Sequence, residues 1–212
     1  MIMDISFESL IFVFDLAGTV IFAITGALSG IRLKLDLLGV IVFACTVGVG
    51  GGILRDVIIG ATPVAALQNE AYLISCIVAG FIVCFLFPKF ENYRRWILIF
   101  DAFGLGIFTA LGAAKGAYFQ LGPSGMILCG VLSAVGGGIL RDVMSRKTPS
   151  ILVNDFYATA SLAGGIIYVV ISNYLSPTLC FMIVASFVIA LRLAAIRYHL
   201  RLPRRHFLLR KF

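Results

Sequence analysis

Seven long apolar runs, separated by short stretches that carry charge or proline, fix the solvent in which this chain folds. They cover residues 10–31, 35–59, 72–87, 96–117, 125–144, 156–174 and 178–196. A hydrocarbon core of about 30 Å takes about 20 apolar residues per helix, so each run reads as a transmembrane helix. Composition agrees, because 61% hydrophobic and 13% charged residues, with a mean hydropathy of +1.07, exceed what a soluble domain's polar surface can cover. The expectation is an all-α polytopic membrane protein with seven transmembrane helices and no room for a separate soluble domain. All six prolines fall between or after the runs, where a missing N–H costs least. The alternating ten-residue segments of a membrane β-barrel are not seen.

Orientation follows from the cations. Arg197, Arg201, Arg204, Arg205, Arg210 and Lys211 crowd the tail at 198–212 and its junction, which the positive-inside rule places in the cytoplasm. An odd span count then puts the N-terminus outside. Arg32, Lys34, Lys89, Arg94, Arg95, Arg146 and Lys147 all fall in loops on the cytoplasmic side of that topology. The net charge of +7 is therefore a topology signal, and nucleic acid is not an expected partner. The start of the chain lacks the basic n-region of a cleavable signal, so the first run is expected to remain in the mature protein. Cys45, Cys76, Cys84, Cys129 and Cys180 sit in apolar runs without CxxC spacing, and His199 and His206 belong to the basic tail, so no metal site is expected.

The chain also repeats itself. A shift of about 86 residues aligns Phe14–Asp15 with Phe100–Asp101, Gly18 with Gly104, Gly26 and Gly30 with Gly112 and Gly116, and Thr62–Pro63 with Thr148–Pro149. About twenty of fifty positions in that window match. Residues 7–92 and 93–176 thus form two three-helix repeats, with 177–197 as a seventh helix outside the duplication. Three is odd, so the second copy enters the membrane upside down, an inverted repeat of the kind found in transporters and related channels.

The strongest match is the block GGGILRDV, at residues 50–57 and again at 136–143. Each glycine weakens a helix by about 1 kcal/mol relative to alanine, so Gly50, Gly51, Gly52, Gly136, Gly137 and Gly138 permit kinks or local unwinding. Freed carbonyls would then have to line protein or water. The expected arrangement is two broken helices facing a central aqueous path. Gly26–Gly30 and Gly112–Gly116 have GxxxG spacing and read as packing sites. Charges recur at matched depth: Asp15, Asp101, Arg55, Asp56, Arg141 and Asp142. Each is costly facing lipid, so they should face inward and pair, Asp15 with Arg141 and Asp101 with Arg55 being plausible partners. Such pairs could equally serve only to brace the bundle. Lys115, where the first repeat has Ser29, is expected to snorkel to the interface. Thr19, Thr46 and Ser133 could add hydroxyl ligands for a hard cation, although helical hydroxyls usually bond their own backbone.

At these residues the chain resembles the prokaryotic branch of the trimeric intracellular cation (TRIC) channels, also described as the UPF0126 family with its "glycine transporter" domain. The resemblance spans about residues 7–197. It implies a homotrimer in the cell inner membrane, in contact with membrane lipid, with an ion pathway in every protomer. That pathway would be bounded by the kinked second and fifth helices with the first and fourth, and would pass K⁺ or Na⁺. No cofactor is implied beyond the permeant cation. Eukaryotic relatives bind phosphoinositide, but this chain carries GGGILRD blocks rather than their lipid-binding motif. The alternative is a secondary transporter of a small solute such as glycine, since inverted repeats describe carriers as well as channels. A purely structural protein would not need matched intramembrane charges. Neither an HExxH nor a GxSxG element is present, so an enzyme is not expected.

Overall fold

A computed structural model of the chain describes residues 5–86, 93–153, 156–198 and 200, with helices throughout. In chain order these are α1 (Ile5–Arg32), α2 (Leu37–Ile58), α3 (Ala65–Gln68), α4 (Ala71–Leu86), α5 (Tyr93–Tyr118), α6 (Pro123–Met144), α7 (Ser150–Val153), α8 (Ala158–Ile171) and α9 (Pro177–Tyr198). Most of the basic tail, together with His199, His206 and Lys89, lies outside the described residues.

Five helices, α1 over Ile11–Arg32 with α2, α5, α6 and α9, are long and apolar enough to cross a membrane. Of the other two apolar helices, α4 has over its described residues the length of the run at 72–87, while α8 is shorter than the run at 156–174 suggests. With 16 and 14 residues, α4 and α8 rise about 24 and 21 Å at 1.5 Å per residue, short of a core of about 30 Å. The cause at α8 is local: Phe156 has φ +58°, outside the right-handed helical region, and a turn follows Ile171. Two of the prolines sit inside elements rather than between them. Pro123 and Pro177 occupy the first positions of α6 and α9, where a fixed φ suits the helix and no N–H is needed. Arg94 and Arg95 likewise lie in the first turn of α5 rather than in the preceding loop.

Helix ends repeat with the sequence. After α1, Lys34 takes φ +59° while its N–H bonds the Ile31 carbonyl and that of Leu35 bonds the Gly30 carbonyl. After α5, Gln120 does the same with φ +55°, Ala117 and Gly116. Gly60 and Arg146 close α2 and α6 in the same way, at φ +73° and +53°. All four are Schellman ends, in which a left-handed residue lets two N–H groups satisfy the last carbonyls of the helix.

The tight turns make α1–α2 and α5–α6 antiparallel hairpins, and the GxxxG glycines set their separation. A Cβ on Gly26 would lie 2.5 Å from the Phe43 carbonyl oxygen and one on Gly30 would lie 3.1 Å from the Val40 Cα. In the second hairpin Gly116 stands 2.9 Å from the Met126 Cα by the same measure, and Gly112 against the Cys129 carbonyl. The packing expected of these small residues is therefore present. Between the hairpins, Gly18 receives the Phe108 ring and Gly104 the Phe22 ring, and the two rings stack with centroids 5.3 Å apart. Helix α4 packs on α1 and α2, while α8 and α9 pack on α5, which is the most enclosed of the five long helices. The outer face stays apolar, as Ile74, Val78, Phe81, Ile82 and Phe85 of α4 show. Apolar side chains facing outward in a row are tolerated where the solvent is lipid.

Candidate functional site

The two GGGILRD blocks meet. A Cβ on Gly51 would collide with the Ser133 carbonyl, and one on Gly137 would lie 2.5 Å from the Val47 carbonyl. Gly50 abuts Leu140, and Gly136 stands 3.3 Å from Leu54. Each contact has its mate under the 86-residue shift (137 minus 51), and the register is antiparallel. Exchange of this kind defines a local two-fold relation between the halves. The helices do not unwind here. Both α2 and α6 run as unbroken α-helix through the glycines, whose missing side chains let two backbones touch. The expectation of broken helices with freed carbonyls is corrected accordingly: the α-helical backbone continues through both blocks, and the glycines serve close approach of the two helices instead of unwinding.

One turn beyond each block lies a polar cluster. In the first, the Arg55 Nε donates to Asp56 Oδ1 at 2.8 Å, the Lys115 Nζ to the same oxygen at 2.7 Å, and the Ala65 N–H to Oδ2 at 3.2 Å. Nearby the Tyr72 hydroxyl donates to Asp15 Oδ2 at 3.1 Å. In the second, the Arg141 Nε donates to Asp142 Oδ1 at 3.1 Å and the Ser150 N–H to Oδ2 at 2.7 Å. The Arg141 Nη1 reaches Asp101 Oδ1 at 2.6 Å and the Thr25 hydroxyl at 3.4 Å. Arg55, Asp56, Asp101, Arg141 and Asp142 are all buried. Unpaired, each would carry a desolvation cost of several kcal/mol, so the pairing is what permits their depth.

The repeated aspartate thus has a local role that its spacing did not reveal. Asp56 and Asp142 each take an N–H at the start of the short helices α3 and α7, which follow the matched Thr–Pro pairs. That N-terminal contact fixes the chain's return after each long helix. The duplicated Thr–Pro was the available signal.

Inward-facing, paired charges are found, but with other partners. Asp15 does not bond Arg141, and Asp101 does not bond Arg55. Arg141 instead takes Asp101 from its own hairpin, because α5 and α6 are adjacent and antiparallel, and each arginine's Nε is held by the aspartate beside it. Lys115 does not snorkel outward. It crosses from α5 to Asp56 with a quarter of its side chain exposed.

A cleft of about 250 Å³, counted with its open mouth, leads to the first cluster. Asp15, Thr19, Gly48, Gly52, Arg55, Asp56, Tyr72 and Phe108 line it. Thr46 is half-buried on α2 and outside that lining. The Ser133 hydroxyl is fully buried and donates to the Cys129 carbonyl at 2.7 Å. Tyr72, Tyr157, Thr25 and Arg192 were not singled out from sequence; for the tyrosines the available cue was the match of residues 69–72 with 154–157 at an offset of 85, whereas Thr25 falls opposite Leu111 and Arg192 lies outside the duplication. At the far end of α6, the Lys147 ammonium is pushed below the ordinary lysine range by partial burial and then by the Arg32 guanidinium. Like charges from the α1–α2 and α6–α7 turns are therefore gathered at one end of the bundle.

Fold and buried charge define an all-helical, multi-pass membrane protein. The sequence profile of the family described as "Glycine transporter" matches residues 12–88 and again 98–173. A UPF0126 membrane protein of Vibrio cholerae is 38% identical over 198 residues, covering 92% of this chain and 82% of the relative. The UPF0126 inner membrane protein YadS of Escherichia coli is 36% identical over 197 residues, covering 92% and 95%. The chain belongs to this UPF0126, glycine-transporter-domain family. Among solved structures, the TRIC trimeric intracellular cation channel orthologue of Rhodobacter sphaeroides superposes with a TM-score of 0.87 at 32% identity, over 91% of this chain and all of that one. The family and its structural neighbours are membrane proteins of transport, not enzymes.

Proposed function

We propose that the chain is a homotrimeric channel for monovalent cations, K⁺ or Na⁺, with an ion pathway in each protomer between α2 and α6, flanked by α1 and α5. The observation that carries this reading is the cleft at the first cluster, whose lining includes the two carboxylates of Asp15 and Asp56 together with Gly48 and Gly52 of α2. It gains weight from the likeness to structures described as TRIC cation channels. Carboxylate, hydroxyl and carbonyl oxygens suit hard alkali ions, while Arg55 and Lys115 limit the negative charge there. In this reading Asp15, Asp56 and Thr19 supply oxygens along the cleft, and Gly51 and Gly137 set how closely α2 and α6 approach beside it.

The topology proposed with it has seven spans, α1, α2, α4, α5, α6, α8 and α9, arranged as two inverted three-helix repeats and a last helix. The N-terminus is outside and the C-terminus in the cytoplasm. Reciprocal antiparallel contacts at the glycine blocks support the inversion, and the gathering of Arg32 and Lys147 at one end supports the orientation.

The family description favours a second reading, a carrier for glycine, because a cleft holding both carboxylates and cations also suits a zwitterion. Vesicles loaded with KCl and carrying purified protein separate the two. The channel reading expects K⁺ efflux that follows an imposed voltage without added glycine. Efflux no faster than from protein-free vesicles would refute it.

A further inference from the structure

The two glycine blocks end differently. A Cβ on Gly52 would have nothing nearer than the Arg55 guanidinium at 3.8 Å, and Gly52 lines the open cleft. Its mate Gly138 is closed over, since a Cβ there would collide with the Tyr157 hydroxyl. Tyr157 precedes α8 and is 1% exposed. Over its ring, 4.9 Å from the centroid, lies the guanidinium carbon of Arg192, itself buried in α9. Only Arg192 has no mate in the first repeat: α9 lies outside the duplication, whereas Tyr157, at the end of Asn-Asp-Phe-Tyr, matches Tyr72, at the end of Asn-Glu-Ala-Tyr, once the repeats are offset by 85 residues after the Thr–Pro pairs.

We propose that Tyr157 shuts the ion path at the second block and that Arg192 of the last helix clamps it there. The inference rests on the channel reading. A cation held over the face of a desolvated ring is attracted by its quadrupole, so Arg192 fixes the ring's position as well as filling space. The ring's hydroxyl end lies by the polar cluster of Asp101, Arg141 and the Thr25 hydroxyl. Truncating the ring would therefore leave a space that water enters and is held in by several partners, rather than a dry void. An aqueous route would then reach Thr25, which in the native chain is fully buried. The last helix, which the duplication does not explain, thereby holds one end of a two-fold structure shut while the other stays open.

The test uses full-length protein in vesicles with its five native cysteines replaced by alanine. Thr25→Cys reports on the second block and Gly52→Cys on the first, each titrated with a small, water-soluble cationic thiol reagent. Tyr157→Ala is expected to speed labelling of Thr25→Cys at least tenfold and to leave Gly52→Cys unchanged. Arg192→Leu should speed it several-fold, and Arg192→Lys should restore the slow rate. Equal labelling of Thr25→Cys with and without Tyr157, or parallel acceleration at both reporters, would overturn the proposal. Should Tyr157→Ala fail to fold, the Arg192 pair decides alone: indifference of Thr25→Cys to Arg192→Leu rejects the clamp. Potassium flux measured on the same vesicles keeps the two ideas apart. Wild-type flux with unchanged labelling removes the plug and leaves the channel, whereas accelerated labelling without K⁺ flux in any variant keeps the plug and removes the channel.

Discussion

Replacing Gly51 with alanine should destabilise the protein, while the same change at Gly52, one residue on, should not. At Gly51 the added Cβ would collide with the Ser133 carbonyl across the α2–α6 crossing. Carbon and oxygen need about 3.3 Å even in a weak C–H···O contact, so the two backbones must part by most of an ångström. Overpacking of a buried contact costs about 1–3 kcal/mol, against about 1 kcal/mol gained from the better helix propensity of alanine. At Gly52 the nearest atom is the end of a side chain at 3.8 Å, so only the propensity gain remains. The two variants should therefore differ by about 2 kcal/mol in stability. Gly137→Ala should behave like Gly51→Ala, because its Cβ would meet the Val47 carbonyl at 2.5 Å in the reciprocal contact. The assay is the fraction of detergent-solubilised protein that stays monodisperse after heating, read as a midpoint temperature. Equal midpoints for Gly51→Ala and Gly52→Ala would refute the close crossing, and a difference between Gly51→Ala and Gly137→Ala would refute its symmetry.

Further outcomes follow from the clusters and helix ends. Arg141→Met leaves Asp101 and Asp142 buried without their cation and should cost about 3–5 kcal/mol, with Asp101→Asn in the same chain recovering part of it in the same heating assay. Lys115→Met should cost no more than about 1 kcal/mol, because Lys115 is partly exposed and Asp56 keeps Arg55 and the Ala65 N–H; a loss as large as that of Arg141→Met would contradict the inequality. Gln120→Gly removes a left-handed non-glycine residue from an exposed turn and should raise the midpoint, by the equivalent of up to about 1 kcal/mol; a lowered midpoint would count against the Schellman end. In native-mass measurements in mild detergent the protein should run as a trimer, and a stable monomer unaltered by lipid would contradict that assembly.

Much of the fold was legible because the membrane leaves few options. Apolar runs of bilayer length and charges gathered between them point to long helices, and the glycine, Thr–Pro and GGGILRD matches point to a duplication. The ends of α8 were less legible, since an apolar run does not mark where a backbone leaves the helix; Phe156, the first residue of its run, and the turn after Ile171 both fall within the apolar stretch. Partner choice was least legible. Arg141 finds Asp101 because two hairpin helices face each other, and that facing depends on rotation about each helix axis, which spacing alone does not give. The triple glycines carried two physical meanings, unwinding and close approach. Only the reciprocal contacts of Gly51 and Gly137 decide between them. The inward reach of Lys115 and the place of Arg192 were illegible because each residue breaks the duplication, and matched positions say nothing about the residues that make the halves differ.

Unitary current in a planar bilayer tests the central claim most directly. Purified protein under a K⁺ gradient should give discrete current steps whose reversal potential follows that gradient, since a path lined by oxygens passes many ions per opening. A carrier must close one side before opening the other and gives no such steps. Absence of steps at every voltage, together with accumulation of labelled glycine against its gradient by the same preparation, would contradict the channel and establish the carrier in its place.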